Sequence, residues 1–139
     1  MDSRDCIVLT GATGYVGGRL LQALETMRYR VRCMARRPEA LRGRVSPSTE
    51  VVSGDCLKPE SLAAALAGAH TGYYLVHSMG SSGSFQEKDR QAALNFARAA
   101  RESRLRRIIY LGGLGEGSKQ VTDGRPISRD SPTKKRIRW

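Results

Sequence analysis

Cysteine is scarce in this sequence and never paired. Cys6, Cys33 and Cys56 stand far apart, odd in number, with no CxxC spacing among them. That argues against a zinc ligand set and against a disulfide framework. Cys6 and Cys33 lie inside apolar runs, where a thiol acts as a small core residue. The pattern points to a reducing, cytoplasmic setting. No apolar run approaches the length of a membrane span. The amino terminus, Met1-Asp2-Ser3-Arg4-Asp5, is polar and leads straight into a strand-like run, unlike a signal peptide. No segment repeats at a solenoid period. Acidic residues are also in deficit, with 13 Asp and Glu against 24 Lys and Arg, a formal net charge of +11. Such an excess favours anionic partners, and composition does not choose among nucleotides, nucleic acids and an acidic membrane surface.

What is present is the makings of one α/β unit. The chain has 139 residues, 40% of them hydrophobic, enough for a packed core in a single domain. Cys6–Thr10 (CIVLT), 31–35, 50–53, 72–76 and 107–111 read as short buried strands. Val16, Leu20, Leu24 and Met27 recur at helical spacing, predicting a helix over 15–27 with that stripe inward. Residues 36–49 read as a polar loop with Pro38, Gly43 and Pro47. Pro59 opens a second helix to about Ala67, stopped by Gly68. After a Gly/Ser loop at 80–84, a long helix over 85–101 carries Phe85, Ala93, Phe96 and Ala100 on one face. Strands alternating with helices predict a doubly wound, Rossmann-like parallel sheet of about five strands, incomplete at its carboxyl end.

The chemistry concentrates between the first strand and the first helix. Thr10-Gly11-Ala12-Thr13-Gly14-Tyr15-Val16-Gly17 spaces its glycines as GxxGxxG. Gly11 permits the turn out of the strand, Gly14 lets backbone approach a pyrophosphate, and Gly17 allows close packing of the helix on the strand. The helix amino terminus then offers free N–H groups to the phosphates. Arg36 and Arg37 follow the second strand. An NAD-selective site tends to carry an acid there, whereas arginine suits the 2′-phosphate of NADP. The other reading is that both are solvated loop charges. Asp55, after the third strand, either accepts from the adenine amino group or caps the turn before Pro59. His77 and Ser78 end the fourth strand on the ligand-facing edge, where they line the cofactor's ribose or nicotinamide or simply hydrogen-bond locally.

TGATGYVGGRLL, VRCMARRP, VVSGDCLKPESLAAAL, YYLVHSM, DRQAALNFARAA and RRIIYLGGLG follow one another in order. Together they resemble the atypical short-chain dehydrogenase/reductases, relatives of nucleoside-diphosphate-sugar epimerases and NmrA-like NAD(P)-binding proteins. The likeness covers roughly residues 5 to 117. It implies a Rossmann domain binding NADP, with Gly11, Thr13, Gly14, Tyr15, Val16 and Gly17 at the glycine motif and Arg36 at the 2′-phosphate. It also implies an adenine contact at Asp55 and Cys56, and sets Asp89 where extended members carry an active-site Asn. Oxidoreductases of this kind use a Tyr-x-x-x-Lys pair for proton transfer. Here Arg19, Cys33, His77, Ser78 and Leu114 stand four residues after the five tyrosines, and Gly112-Gly113 stands where the catalytic serine would follow the fifth strand.

The sequence therefore reads as an NADP-binding domain over 1–119, inactive alone and shortened relative to such enzymes. A basic tail over 120–139, with six Lys/Arg, two Asp and no period, is expected to be disordered. The alternative function is a non-catalytic NADP-binding or redox-sensing module. A third, nucleic-acid binding through the tail, is weakened by the lack of any aromatic there except Trp139.

Overall fold

A computed structural model of the chain describes residues 5–76, 83–111 and 136–137. The first strand, β1 (Cys6–Thr10), is buried along its whole length. Parallel strands β2 (Arg30–Ala35) and β4 (Ala69–Tyr74) flank it, β3 (Glu50–Ser53) lies outside β2, and β5 (Arg107–Tyr110) lies outside β4. The order β3-β2-β1-β4-β5 is that of a Rossmann sheet. The sequence predicts no sixth element, yet β6 (Arg136–Ile137) pairs antiparallel with β5, opposite Ile108 and Ile109. Two residues are too few to show any period. The rest of the 120–139 segment lies outside the described residues.

Alternation along the strands splits the core into two layers. Ile7, Leu9, Val31 and Cys33 face one side with Leu21 and Leu24 of α1 (Tyr15–Thr26). Val8, Met34, Tyr74 and Ile108 face the other, under α2 (Leu62–Leu66) and α3 (Gly83–Glu102). Gly72 in β4 makes room here, since a Cβ on it would lie 2.8 Å from Leu105 Cδ2 and 3.2 Å from the Phe96 ring. Helices on both faces of a parallel sheet complete the doubly wound arrangement. No helix among the described residues is long and apolar enough to cross a membrane.

Several local expectations are corrected. The inward stripe of α1 is Gly17, Leu21 and Leu24, while Val16 and Met27 are exposed. Glycine carries no hydrophobic signal, so the periodicity is drawn one residue off, to a neighbouring line of aliphatics. On α3 the buried face is Ala92, Asn95, Phe96, Ala99 and Ala100, and Phe85 is exposed. β4 runs over 69–74 rather than 72–76, because Ala69 and Thr71 take the first rungs against β1. The second helix begins as a 3-10 turn at Pro59–Ser61 and its α part ends at Leu66, with Gly68 in the left-handed region. In the 36–49 loop, Pro38–Ala40 forms a 3-10 turn and Leu41 is buried in the α1-side core.

α1 and α3 end alike. Beyond α1, Tyr29 N–H donates to Leu24 O at 3.0 Å and Arg28 N–H to Glu25 O at 2.9 Å. Beyond α3, Leu105 N–H donates to Ala100 O at 2.9 Å and Arg104 N–H to Arg101 O at 3.1 Å. Both are Schellman closures, and arginine occupies the left-handed position in each: Arg28 at φ 58° and Arg104 at φ 57°.

Candidate functional site

Successive strands run outward from β1 in both directions, so the crevice between β1 and β4 at their carboxyl ends is the switch point where such sheets bind ligands. Thr10 stands at its floor. The last β1–β4 rung pairs Leu9 with Tyr73. Beyond it the buried Thr10 hydroxyl donates to Tyr73 O at 2.9 Å and accepts from Leu75 N–H at 3.1 Å. A side chain thus supplies the final link before the strands part. The sequence reading gave Thr10 no role, although a hydroxyl closing an all-apolar run is a visible signal.

The glycine turn sits directly above. Gly11 has φ 74°, and a Cβ there would lie 2.8 Å from Leu75 O. Gly14 N–H donates to Gly11 O at 3.1 Å, and Gly14 is the extended amino-terminal cap of α1. A Cβ on Gly14 would meet Gly11 O at 3.3 Å and nothing else within 4 Å among the described residues, so its outer side is open. On Gly17 a Cβ would fall 1.9 Å from Gly11 O and 3.0 Å from Ala12 Cα. The close packing expected of Gly17 is therefore against the turn itself. No side chain caps α1, and its first turn carries no acid. Its unpaired N–H groups and positive dipole end are left for an anion. Thr13, Tyr15 and Val16 are exposed around this opening, with the Arg19 guanidinium 4.8 Å from the centre of the Tyr15 ring.

Arg36 and Arg37 emerge at the carboxyl end of β2, both exposed and neither paired with an acid among the described residues. Next along the edge, one Asp55 carboxylate oxygen accepts from Leu57 N–H at 2.9 Å. The backbone N–H of Asp55 donates to Ser61 Oγ at 2.9 Å. Asp55 is thus a turn-former, and one carboxylate oxygen stays outside the turn's bonding. Cys56 turns its thiol into the core beside Met34 and Tyr74, where burial, then the Asp55 charge, push it up to about 11. Its carbonyl accepts from the buried Asn95 Nδ2 at 2.8 Å. Asn95, held in turn by Gln91 at 2.9 Å, fastens α3 to this turn. The sequence reading missed Asn95, because a polar residue amid Ala and Phe looks like a solvent position.

His77 and Ser78 lie outside the described residues. Asp89 on α3 is half-buried, and its charge acts on Tyr74. Burial foremost, with Cys56, Asp89 and Tyr110 adding, raises the Tyr74 phenol well above its ordinary range. Tyr74 packs its ring 5.0 Å from Phe96 and 6.0 Å from Tyr110. A phenol shifted this way holds its proton at neutral pH, opposite to the tuning a general acid needs.

Comparison with known proteins agrees with this geometry. Triphenylmethane reductase from Citrobacter sp., solved as a complex with NADP(H), superposes with a TM-score of 0.65 at 26% identity. The match covers 76% of this chain and 36% of that one. UDP-N-acetylglucosamine 4-epimerase from Bacillus cereus shares the fold, with a TM-score of 0.63 at 20% identity over 76% of this chain and 34% of its own. An uncharacterized protein of Sinorhizobium fredii is 28% identical over 76% of this chain and 33% of that protein. The chain spans about a third of the length of each of these relatives. Residues 11–136 match the family described as NAD(P)H-binding, from the first glycine of the turn to β6. On that match, the chain belongs to the NAD(P)H-binding family.

Proposed function

We propose that this chain is the NADP(H)-selective cofactor domain of an atypical short-chain dehydrogenase/reductase or epimerase-like protein. The observation that carries the selectivity is the exposed Arg36-Arg37 pair at the end of β2, where a Rossmann site meets the adenosine ribose. A guanidinium there forks onto a 2′-phosphate, and neither of the two residues directly after β2 is an acid that would hold a 2′-hydroxyl instead. The likeness to a reductase complexed with NADP(H) supports the reading.

In this reading the Gly11–Gly17 turn receives the pyrophosphate, with Thr13, Tyr15 and Val16 around it. The open side of Gly14 and the uncapped α1 terminus fit that group. The free oxygen of Asp55 and the backbone of Cys56 border the adenine. The cofactor, when bound, supplies hydride chemistry. The chain's own residues bind and orient it. They offer no Tyr-x-x-x-Lys pair, and Tyr74 is tuned against proton release. Little turnover of carbonyl or nucleotide-sugar substrates is expected from this chain alone. The same absence favours the second reading, a non-catalytic NADP-binding or redox-sensing module. Three buried free cysteines fit a reducing, cytoplasmic setting.

Fluorescence titration of NADPH and NADH against the parent and Arg36→Ala tests the selectivity. NADPH should bind at least about tenfold more tightly, the worth of one charge-assisted pair, and the variant should lose most of that margin. Equal affinities in the parent, or an unchanged margin in the variant, would sink it. Robust cofactor-dependent turnover by the purified chain would overturn the expected inactivity and make His77 the first suspect for the acid.

A further inference from the structure

The edge of the sheet opposite the glycine turn carries a concentration of charge that the cofactor does not use. All five long strands are parallel, so their amino ends share this edge with the carboxyl ends of α1 and α3. Arg28 and Arg30 flank Tyr29 after α1, and Arg104 and Arg106 flank the buried Leu105 after α3. Arg101 and Arg107 adjoin the second pair. None of these six is paired with an acid among the described residues. Four carboxylates share the edge: Asp5 lies 3.6 Å from His70, Glu25 accepts from Ser46 N–H at 2.8 Å and Thr49 Oγ1 at 2.6 Å, Glu50 is bonded to Arg32 at 2.7 Å, and Glu102 ends α3.

The two left-handed arginines sharpen the point. Glycine is the residue that takes this position without strain, and any other side chain there is strained. Arginine sits there twice, each time followed by an inward anchor and a second outward arginine. The anchors fix the pairs on either side of the sheet, three strand steps apart, roughly 14 Å at about 4.8 Å per step.

We propose that this amino edge is a phosphate-contacting surface for duplex nucleic acid. Arginine forks match phosphate oxygens bidentately, and the cluster contains no lysine. A duplex presents about one negative charge per 1.7 Å of axis, dense enough to meet both pairs at once. Single strands are disfavoured, because none of the exposed aromatics among the described residues (Tyr15, Phe85 and Tyr110) is on this edge to stack a base. A lipid surface is disfavoured, because Met27 is the one large exposed apolar residue here among those described. Contacts of this kind position the protein on the duplex without reading its sequence.

Glycine itself provides the test. In Arg28→Gly/Arg104→Gly two charges leave while the left-handed conformation is relieved, so the melting temperature should hold or rise. Binding of a short labelled random-sequence duplex to the full chain is followed by anisotropy across about 50 to 200 mM salt. Affinity should fall at least about tenfold, and the log–log salt slope should flatten by about 2, one for each lost phosphate contact. NADPH binding, at the other edge, should not change. If the double glycine variant folds poorly, Arg30→Gln/Arg106→Gln should give the same loss without touching the closures. Duplex affinity unchanged in the folded variants would overturn the proposal and assign any binding to other basic residues. So would preferential binding to phosphatidylserine vesicles that these substitutions weaken, which would make the edge a membrane surface.

Discussion

Gly17 rests on the carbonyl of Gly11 so closely that a Cβ at position 17 would lie 1.9 Å from that oxygen. The third glycine is demanded by the turn before any ligand arrives. Gly14 differs, because its one close neighbour is at 3.3 Å and the remaining space is open. One motif therefore divides into a folding glycine and a ligand-facing glycine.

The division is measurable. Gly17→Ala should cost at least about 2–3 kcal/mol, since overpacking against backbone is not relieved by a rotamer change. Gly14→Val should cost about 1 kcal/mol or less and abolish NADPH binding, because its methyls occupy the pyrophosphate's place. Urea unfolding and cofactor titration on both variants decide. A folded Gly14→Val that binds normally would show the turn to be structural only.

Arg32 of β2 holds the far end of α2. Its guanidinium donates to Glu50 at 2.7 Å and to the carbonyls of Ala65 at 3.0 Å and Ala67 at 2.8 Å. An α-helix of five residues has little hold of its own. Arg32→Met should cost about 1–3 kcal/mol in chemical unfolding, the range for lost hydrogen bonds from a charged group. Arg32→Lys should recover less than half, because an ammonium cannot fork over three acceptors in this geometry. Full stability in Arg32→Met would show that α2 is held by packing alone.

Buried thiols set an alkaline limit. Burial, then Glu25, push Cys33 from an ordinary 9.0 up to about 12, and burial, then Asp55, push Cys56 up to about 11. A raised folded value stabilises the protonated native form fully below the unfolded pKa. That contribution is lost as pH climbs from about 9 toward 11 and 12. The urea midpoint should therefore fall between about pH 8 and pH 10.5, and Cys56→Ala should lessen the drop. A midpoint independent of pH over that window would contradict the burial of both thiols.

The doubly wound parallel fold and the position of the glycine turn were legible in the sequence because they rest on signals that survive without neighbours. CIVLT has no alternative to a buried strand, and GxxGxxG opening a helix needs one geometry. The faces of α1 and α3 were less legible, since the buried positions include Gly17 and Asn95, which hydrophobic spacing does not register. Thr10 and Asn95 matter through partners 63 and 39 residues away, Tyr73 and Cys56, and no local pattern reports such pairings. Asp55 was legible only as one of two readings, and its bond to Leu57 N–H is the turn-capping one.

The three free cysteines divide themselves among the layers of the fold. Cys33 lies in the core under α1, Cys56 in the core under α2 and α3, and Cys6 at the first rung of the central strand. Each is a natural trap site for a thiol reagent, reached only when its own region opens. Labelling rates read by mass spectrometry would thus time three openings in one unaltered molecule. Equal rates would mean that the sheet opens as a unit. A faster Cys56 would mean that the α2–α3 layer lifts away first, carrying the Asp55 turn with it while the glycine turn stays closed.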